Sequence, residues 1–236
     1  MATRAGYVAD LKRSLRPLKD YFRFEKESVV LVHIGKCGGR TLKNGLSNAK
    51  RNMVDNIVHV YKPVYRSDLK YIVVARDPVS RLISAFNWRY RLVVEEKVQR
   101  DRFKGEYEVL TKYQNLNALA EALYFNDGEP NRLAHKEANM IHHVFEGISY
   151  YLTDLLEKCR KDQIVGLLMQ ESLNQDIERV FGYRNELNVH NNSNGKLDPL
   201  TATAKRNLKE FLAKDYVALR ILESLAKEGA ASSASD

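Results

Sequence analysis

Four short apolar runs constrain this chain more than any other feature. They read VVLVHI (29–34), IVHVY (57–61), YIVVA (71–75) and IVGLLM (164–169). Each is rich in Val, Ile or Leu and nearly continuous, whereas a strand with one wet face alternates apolar and polar residues. Such runs predict strands covered on both faces. Parallel neighbours need long crossovers, and helical segments lie between the runs. The expected class is therefore α/β, a three-layer fold with a short central parallel sheet flanked by helices.

The segments around the strands divide simply. Residues 7–24, YVADLKRSLRPLKDYFRF, place Val8, Leu11, Leu15, Leu18 and Phe22 at helical spacing. That predicts a docking helix with a basic wet face, the alternative being a helix that lies on a membrane surface. Pro17 would kink or split it. From Asp77 to Asp162 the pattern is mostly helical, opening with Asp77 as N-cap and Pro78 at the first helical position. FNDGEPN (125–131) reads as a loop. With 236 residues and no linker, one domain is expected. It divides into an N-terminal helical extension (1–27), a core (28–195), one long amphipathic C-terminal helix (196–229) and a disordered tail (230–236).

Composition narrows the function classes. The net charge of +8 favours anionic partners. Two cysteines, Cys37 and Cys159, are too few for a disulfide framework and suggest a reducing compartment. No apolar run approaches the ~20 residues of a membrane helix, and the N-terminus lacks a signal-peptide core. The expectation is a soluble, cytoplasmic chain. The basic residues are spread along the sequence without an aromatic RNA-binding signature, so a nucleic-acid partner is not expected.

The chemistry is concentrated where strands end. After the first run comes Gly35-Lys36-Cys37-Gly38-Gly39-Arg40-Thr41, followed by Leu42 at the start of a helix-like stretch. A Gly-rich turn between a strand and a helix directs backbone N–H groups and the helix dipole at an anion. Gly38 and Gly39 allow a tight turn and close approach of a phosphate. Thr41 offers a hydroxyl, and Lys36 and Arg40 supply full charges. The triphosphatase spelling GxxxxGK[ST] puts lysine directly before the hydroxyl residue. Here the spacing is one residue short, Arg40 occupies that place, and the lysine has moved to the front. A Mg-nucleotide enzyme is disfavoured. Arg76 ends the third run, where open α/β sheets bind ligands, and a guanidinium suits a bidentate grip on phosphate. Ser84 lies eight residues further on and can join it. Arg81 reads as solvent-exposed or paired with a carboxylate.

HIGKCGGRTL (33–42) resembles the loop of sulfotransferases that binds the 5′-phosphosulfate of 3′-phosphoadenosine 5′-phosphosulfate (PAPS). ARDPVSRLISAF (75–86) is similar to that family's 3′-phosphate motif. The likeness is closest to the carbohydrate sulfotransferases, and a weaker match in the order of elements spans residues 28–195. It departs at Gly35, where the family usually has proline, at Cys37, where Thr or Ser is common, and at Arg40, where a small or hydroxyl residue is common. The resemblance implies a P-loop NTPase-like fold and sulfuryl transfer from PAPS to a hydroxyl, less readily an amine, of a glycan, lipid or similar acceptor. It releases 3′-phosphoadenosine 5′-phosphate (PAP) and needs no metal. Lys36, Cys37, Gly38, Gly39, Arg40, Thr41, Leu42, Arg76 and Ser84 are then the donor-binding residues, with Lys36 also catalytic.

An acceptor hydroxyl needs a base, and histidine titrates near neutral pH. His59 is the first candidate. Related carbohydrate sulfotransferases carry a catalytic histidine in a comparable segment, and a hydrogen-bonded core histidine is the alternative. His33 reads as structural. His142 and His143 are expected on different sides of a helix, with His142 a further candidate. Asn191 and Ser193 are candidates for closing over the nucleotide. The rival readings are a P-loop nucleotide kinase and a non-catalytic nucleotide- or nucleic-acid-binding protein.

Overall fold

The computed structural model describes residues 15–38, 42, 53–182 and 199–232. In chain order these form α1 (Arg16–Arg23), β1 (Val29–His33), β2 (Asn56–His59), β3 (Lys70–Ala75), α2 (Pro78–Tyr90) with a π turn after it (Arg91–Glu95), α3 (Glu106–Tyr113), α4 (Leu116–Ala122), α5 (Arg132–Ala138), α6 (Ile148–Leu156), β4 (Ile164–Met169), α7 (Leu173–Phe181), α8 (Ala202–Phe211) and α9 (Ala213–Ser232). They gather into two units. A sheet unit takes the described residues within 12–77, 148–191 and 216–236. A helical unit takes those within 78–147 and 192–215.

In the sheet unit all four strands are parallel, in the order β2-β1-β3-β4. The α/β class is therefore what the molecule adopts, with helices flanking the sheet. α6 contributes Ile148, Tyr151, Leu152 and Leu155 to the core, and α7 contributes Leu173, Ile177 and Phe181. Both sets follow the helical period that puts apolar side chains on one face. α9 adds Ala218, Leu219 and Leu222.

Burial on both faces holds for the two central strands only. β1 and β3 are covered along nearly their whole length. β2 is an edge strand in which Val58 alone is buried and Ile57 is 50% exposed. β4 forms the other edge and carries one extra residue. Tyr71 pairs with Ile164 and Ile72 with Gly166, so Val165 is skipped and turns outward as a bulge. Gly166 packs so closely that an added Cβ would lie 2.8 Å from Val180 Cγ1.

The N-terminal helix does not dock by the expected apolar face. Leu15 and Leu18 are exposed and Phe22 is 78% exposed, while Val8 and Leu11 lie outside the described residues. The buried residue of α1 is Asp20. Tyr61 Oη donates to its Oδ2 at 2.7 Å, and Arg23 Nη2 donates to its Oδ1 at 2.9 Å. Burial, reinforced by that carboxylate, raises the Tyr61 phenol well above its usual range. A charge-assisted polar contact thus fastens this helix where an apolar one was expected. Pro17 stands in its first turn, which suits a residue without an N–H.

In the helical unit, side-chain amides and hydroxyls start the short helices. Asn115 Oδ1 accepts the Ala118 N–H at 2.9 Å, and Thr201 Oγ1 accepts the Ala204 N–H at 3.0 Å. α2 turns Arg81, Leu82, Ala85, Phe86 and Arg89 inward. Arg81 is fully buried rather than exposed or carboxylate-paired, and it donates to main-chain oxygens of His143 and Glu146. The C-terminal segment is two helices, α8 and α9, broken at Leu212 with no glycine or proline to mark the break. Among the described residues no helix is long and apolar enough to cross a membrane.

Candidate functional site

A sheet ordered 2-1-3-4 reverses its winding between β1 and β3. Chains leave these neighbours in opposite directions, so a crevice opens beyond their C-terminal ends. The Lys36 loop leaves β1 there and Arg76 follows β3 directly.

The loop is tightly turned. The Cys37 N–H donates to Ile34 O at 3.3 Å, and Lys36 and Gly38 both take left-handed backbone conformations, with φ of +71° and +81°. Glycine accepts that conformation freely and lysine does not. At position 38 there is a second requirement, because a Cβ would come 3.2 Å from Gln170 Cγ. The loop after β1 therefore lies against the loop after β4. The Leu42 N–H donates to Gly38 O at 3.3 Å.

Arg76 joins the same corner. Its Nη1 stands 3.5 Å from Lys36 O, and its Nε is 3.8 Å from Glu171 Oε1, beyond hydrogen-bond length. The same Glu171 oxygen accepts the Asp77 N–H at 3.2 Å, and Asp77 Oδ2 accepts from Tyr216 Oη at 3.0 Å. The Arg76 side chain is 21% exposed, so solvent reaches it while most of it is sheltered. Arg76 Nε and Gln170 Oε1 are buried without a hydrogen-bond partner among the described residues. Buried polar atoms are normally paired, so both mark capacity for a ligand or water. Gln170 and Glu171 were not anticipated; the signal was their position directly after the fourth apolar run.

Cys37 is fully buried in the core and its N–H is used in the turn. Leu42 packs in the same core and its N–H is also used. Ser84 is half-buried on α2 and belongs to the helical unit. Gly39, Arg40, Thr41, Asn191 and Ser193 lie outside the described residues.

His59 ends β2 and is exposed, directly opposite His33 of β1. The two Nδ1 atoms approach to 2.5 Å, with ring planes 6° apart and centroids 4.6 Å apart. The two near-parallel rings therefore meet through their Nδ1 atoms. One proton shared between the two nitrogens suits this arrangement. β1 separates β2 from β3, so His59 is coupled to the β1 flank of the crevice and Arg76 to the other.

Burial first, and the His59 charge second, push His33 down to about 3. Its unfolded value is about 6.5. A histidine kept neutral in the fold favours folding fully above pH 6.5 and loses that contribution as pH falls toward 3, because the unfolded chain then binds the proton. His33→Asn should therefore flatten the fall in urea-derived stability between about pH 6.5 and pH 3. An unchanged slope would show that His33 contributes nothing to it.

In the helical unit His142 and His143 do not face different sides. They lie in a turn after α5, with ring centroids 4.1 Å apart.

In comparisons with protein-family models, with curated proteins and with solved structures, nothing matches this chain.

Proposed function

We propose that this chain is a PAPS-dependent sulfotransferase, with a P-loop-type nucleotide site at the β1–β3 crevice. The observation that carries the reading is the meeting of the strained Lys36 turn with Arg76, Nη1 to carbonyl at 3.5 Å, at the switch point of a parallel sheet. Two cations on adjacent strand ends suit a ligand with two separated anionic groups, and PAPS has a phosphosulfate at one end and a 3′-phosphate at the other.

In this reading the acceptor oxygen attacks sulfur in line with the bridging oxygen. The bond from sulfur to that oxygen breaks, and its electron pair remains on the 5′-phosphate of PAP. The Lys36 ammonium offsets the charge that builds there, an interaction stronger in the transition state than in the ground state. Arg76 grips the 3′-phosphate. His59 takes the acceptor proton, with His33 holding its ring in orientation. No step is assigned to a metal ion. The acceptor class is a hydroxyl, with a carbohydrate first.

Thermal denaturation tests the reading. PAP without Mg²⁺ should raise the melting temperature, and ATP with Mg²⁺ should raise it much less. Arg76→Ala should remove most of the PAP shift. A larger shift with ATP–Mg²⁺ would favour a P-loop kinase instead. An undiminished PAP shift in Arg76→Ala would refute the role given to that residue.

A further inference from the structure

We propose that His142, His143 and Glu146, all in the helical unit, form a binding site for a divalent transition-metal ion. This goes beyond the transfer reaction and does not depend on it. One ligand atom from each residue lies within 4.8 Å of the other two. His143 Nδ1 is 3.1 Å from Glu146 Oε2, and the Glu146 side chain is 1% exposed. A histidine–carboxylate pair would account for those two residues alone.

Adjacent side chains ordinarily diverge, on a helix or on a strand. Here they converge because His143 adopts φ of +67°, a conformation that disfavours any residue with a Cβ. Strain of this kind persists where the surroundings over-determine it and is a pointer to function.

The surroundings do hold it. Glu106 Oε1 accepts the His142 N–H at 2.8 Å, and the Phe103 ring lies 4.2 Å from the His142 ring, inclined by 20°. The buried Arg81 guanidinium donates through Nη2 to His143 O at 2.9 Å and also to Glu146 O. The main chain of all three residues is thus clamped by buried charged groups, the kind of outer support that orients metal ligands.

Two imidazole nitrogens and one carboxylate oxygen suit zinc or a neighbouring first-row ion, and they suit magnesium or calcium poorly. Tetrahedral ligands at about 2.0–2.2 Å from zinc lie roughly 3.4 Å apart; the His143–Glu146 pair is already that close at 3.1 Å, and a separation of up to 4.8 Å to His142 closes by about 1.4 Å at most. His142 and His143 are half-buried, which leaves an entry path. Three protein ligands leave a further position open for water or an oxygen of an anionic group.

The test uses the full chain, stripped with a chelator and titrated with zinc chloride by calorimetry. One zinc per chain is expected, with no heat from magnesium chloride. His142→Ala and Glu146→Gln should each weaken zinc binding by about 100-fold, and His59→Ala should leave it unchanged. Unchanged zinc affinity in both site variants would overturn the proposal, as would loss of binding in His59→Ala alone. Wild-type crystals soaked in zinc chloride give a readout that no variant's folding can obscure. An anomalous peak between His142, His143 and Glu146 supports the site, and its absence from that position overturns it.

Discussion

Lys36→Ala is expected to lower kcat for the proposed sulfuryl transfer by about 10²–10³-fold while PAP affinity stays near that of the wild type. The reason is the moment at which the ammonium acts. Charge on the bridging oxygen is small in bound PAPS and large as the sulfur leaves. An interaction made at that moment therefore changes kcat rather than binding. The backbone complicates the test, because Lys36 sits at φ of +71°. Alanine keeps a Cβ and thus keeps the strain. Lys36→Gly relieves it. Both variants should be equally slow if the ammonium is responsible. A Lys36→Ala enzyme that turns over at the wild-type rate would remove Lys36 from the mechanism, whatever its melting temperature.

The second large effect is on stability. Glu106→Ala is expected to cost about 3–5 kcal/mol, read as a shift in the urea midpoint. Arg89 Nε and Nη2 donate to the two Glu106 oxygens at 2.8 and 2.6 Å, and the side chains are 2% and 0% exposed. Removing the carboxylate leaves a guanidinium in the interior with Gln99 Oε1 as its remaining acceptor among the described residues. The cost is mainly that of an unpaired buried charge, so removing both partners should be milder. The double variant Arg89→Met, Glu106→Leu should recover much of the loss. A Glu106→Ala midpoint within error of the wild type would show that the pair contributes little.

Much of the sheet was legible in the sequence. Val- and Ile-rich runs of five or six residues have few ways to bury themselves other than as parallel strands, and all four appear within a residue or two of their expected limits. What was not legible depends on neighbours. Nothing in IVHVY says that it forms an edge, because edge status is a property of the sheet. The apolar spacing of residues 15–22 reads as a docking face, yet the helix is fastened by Asp20, whose partner Tyr61 lies far along the chain.

Arg81 reads as exposed or paired with a carboxylate because burial of a guanidinium against main-chain oxygens is improbable until those acceptors are known. Of the candidate site, the Lys36 turn and Arg76 were visible from their places at strand ends. Burial of the Cys37 side chain was not legible, because a loop residue next to glycines turns inward as readily as outward. The convergence of His142 and His143 was hidden, since a left-handed φ at a histidine carries no sequence signature.

The connection from β3 to β4 has a consequence for how the chain is made. β1, β2 and β3 are complete by Ala75, yet β4, which covers the free side of β3, begins only at Ile164. Everything from Arg76 to Gln163, most of the helical unit included, is synthesised first. During that interval the residues of all three strands exist without α7 and α9 to cover them, and the amides and carbonyls along the Tyr71–Ala75 border lack their β4 partners. That border is a template for pairing with a second chain. The late arrival of β4 therefore lengthens the time for which that border stays open during synthesis, the more so the slower the intervening helical segment is elongated.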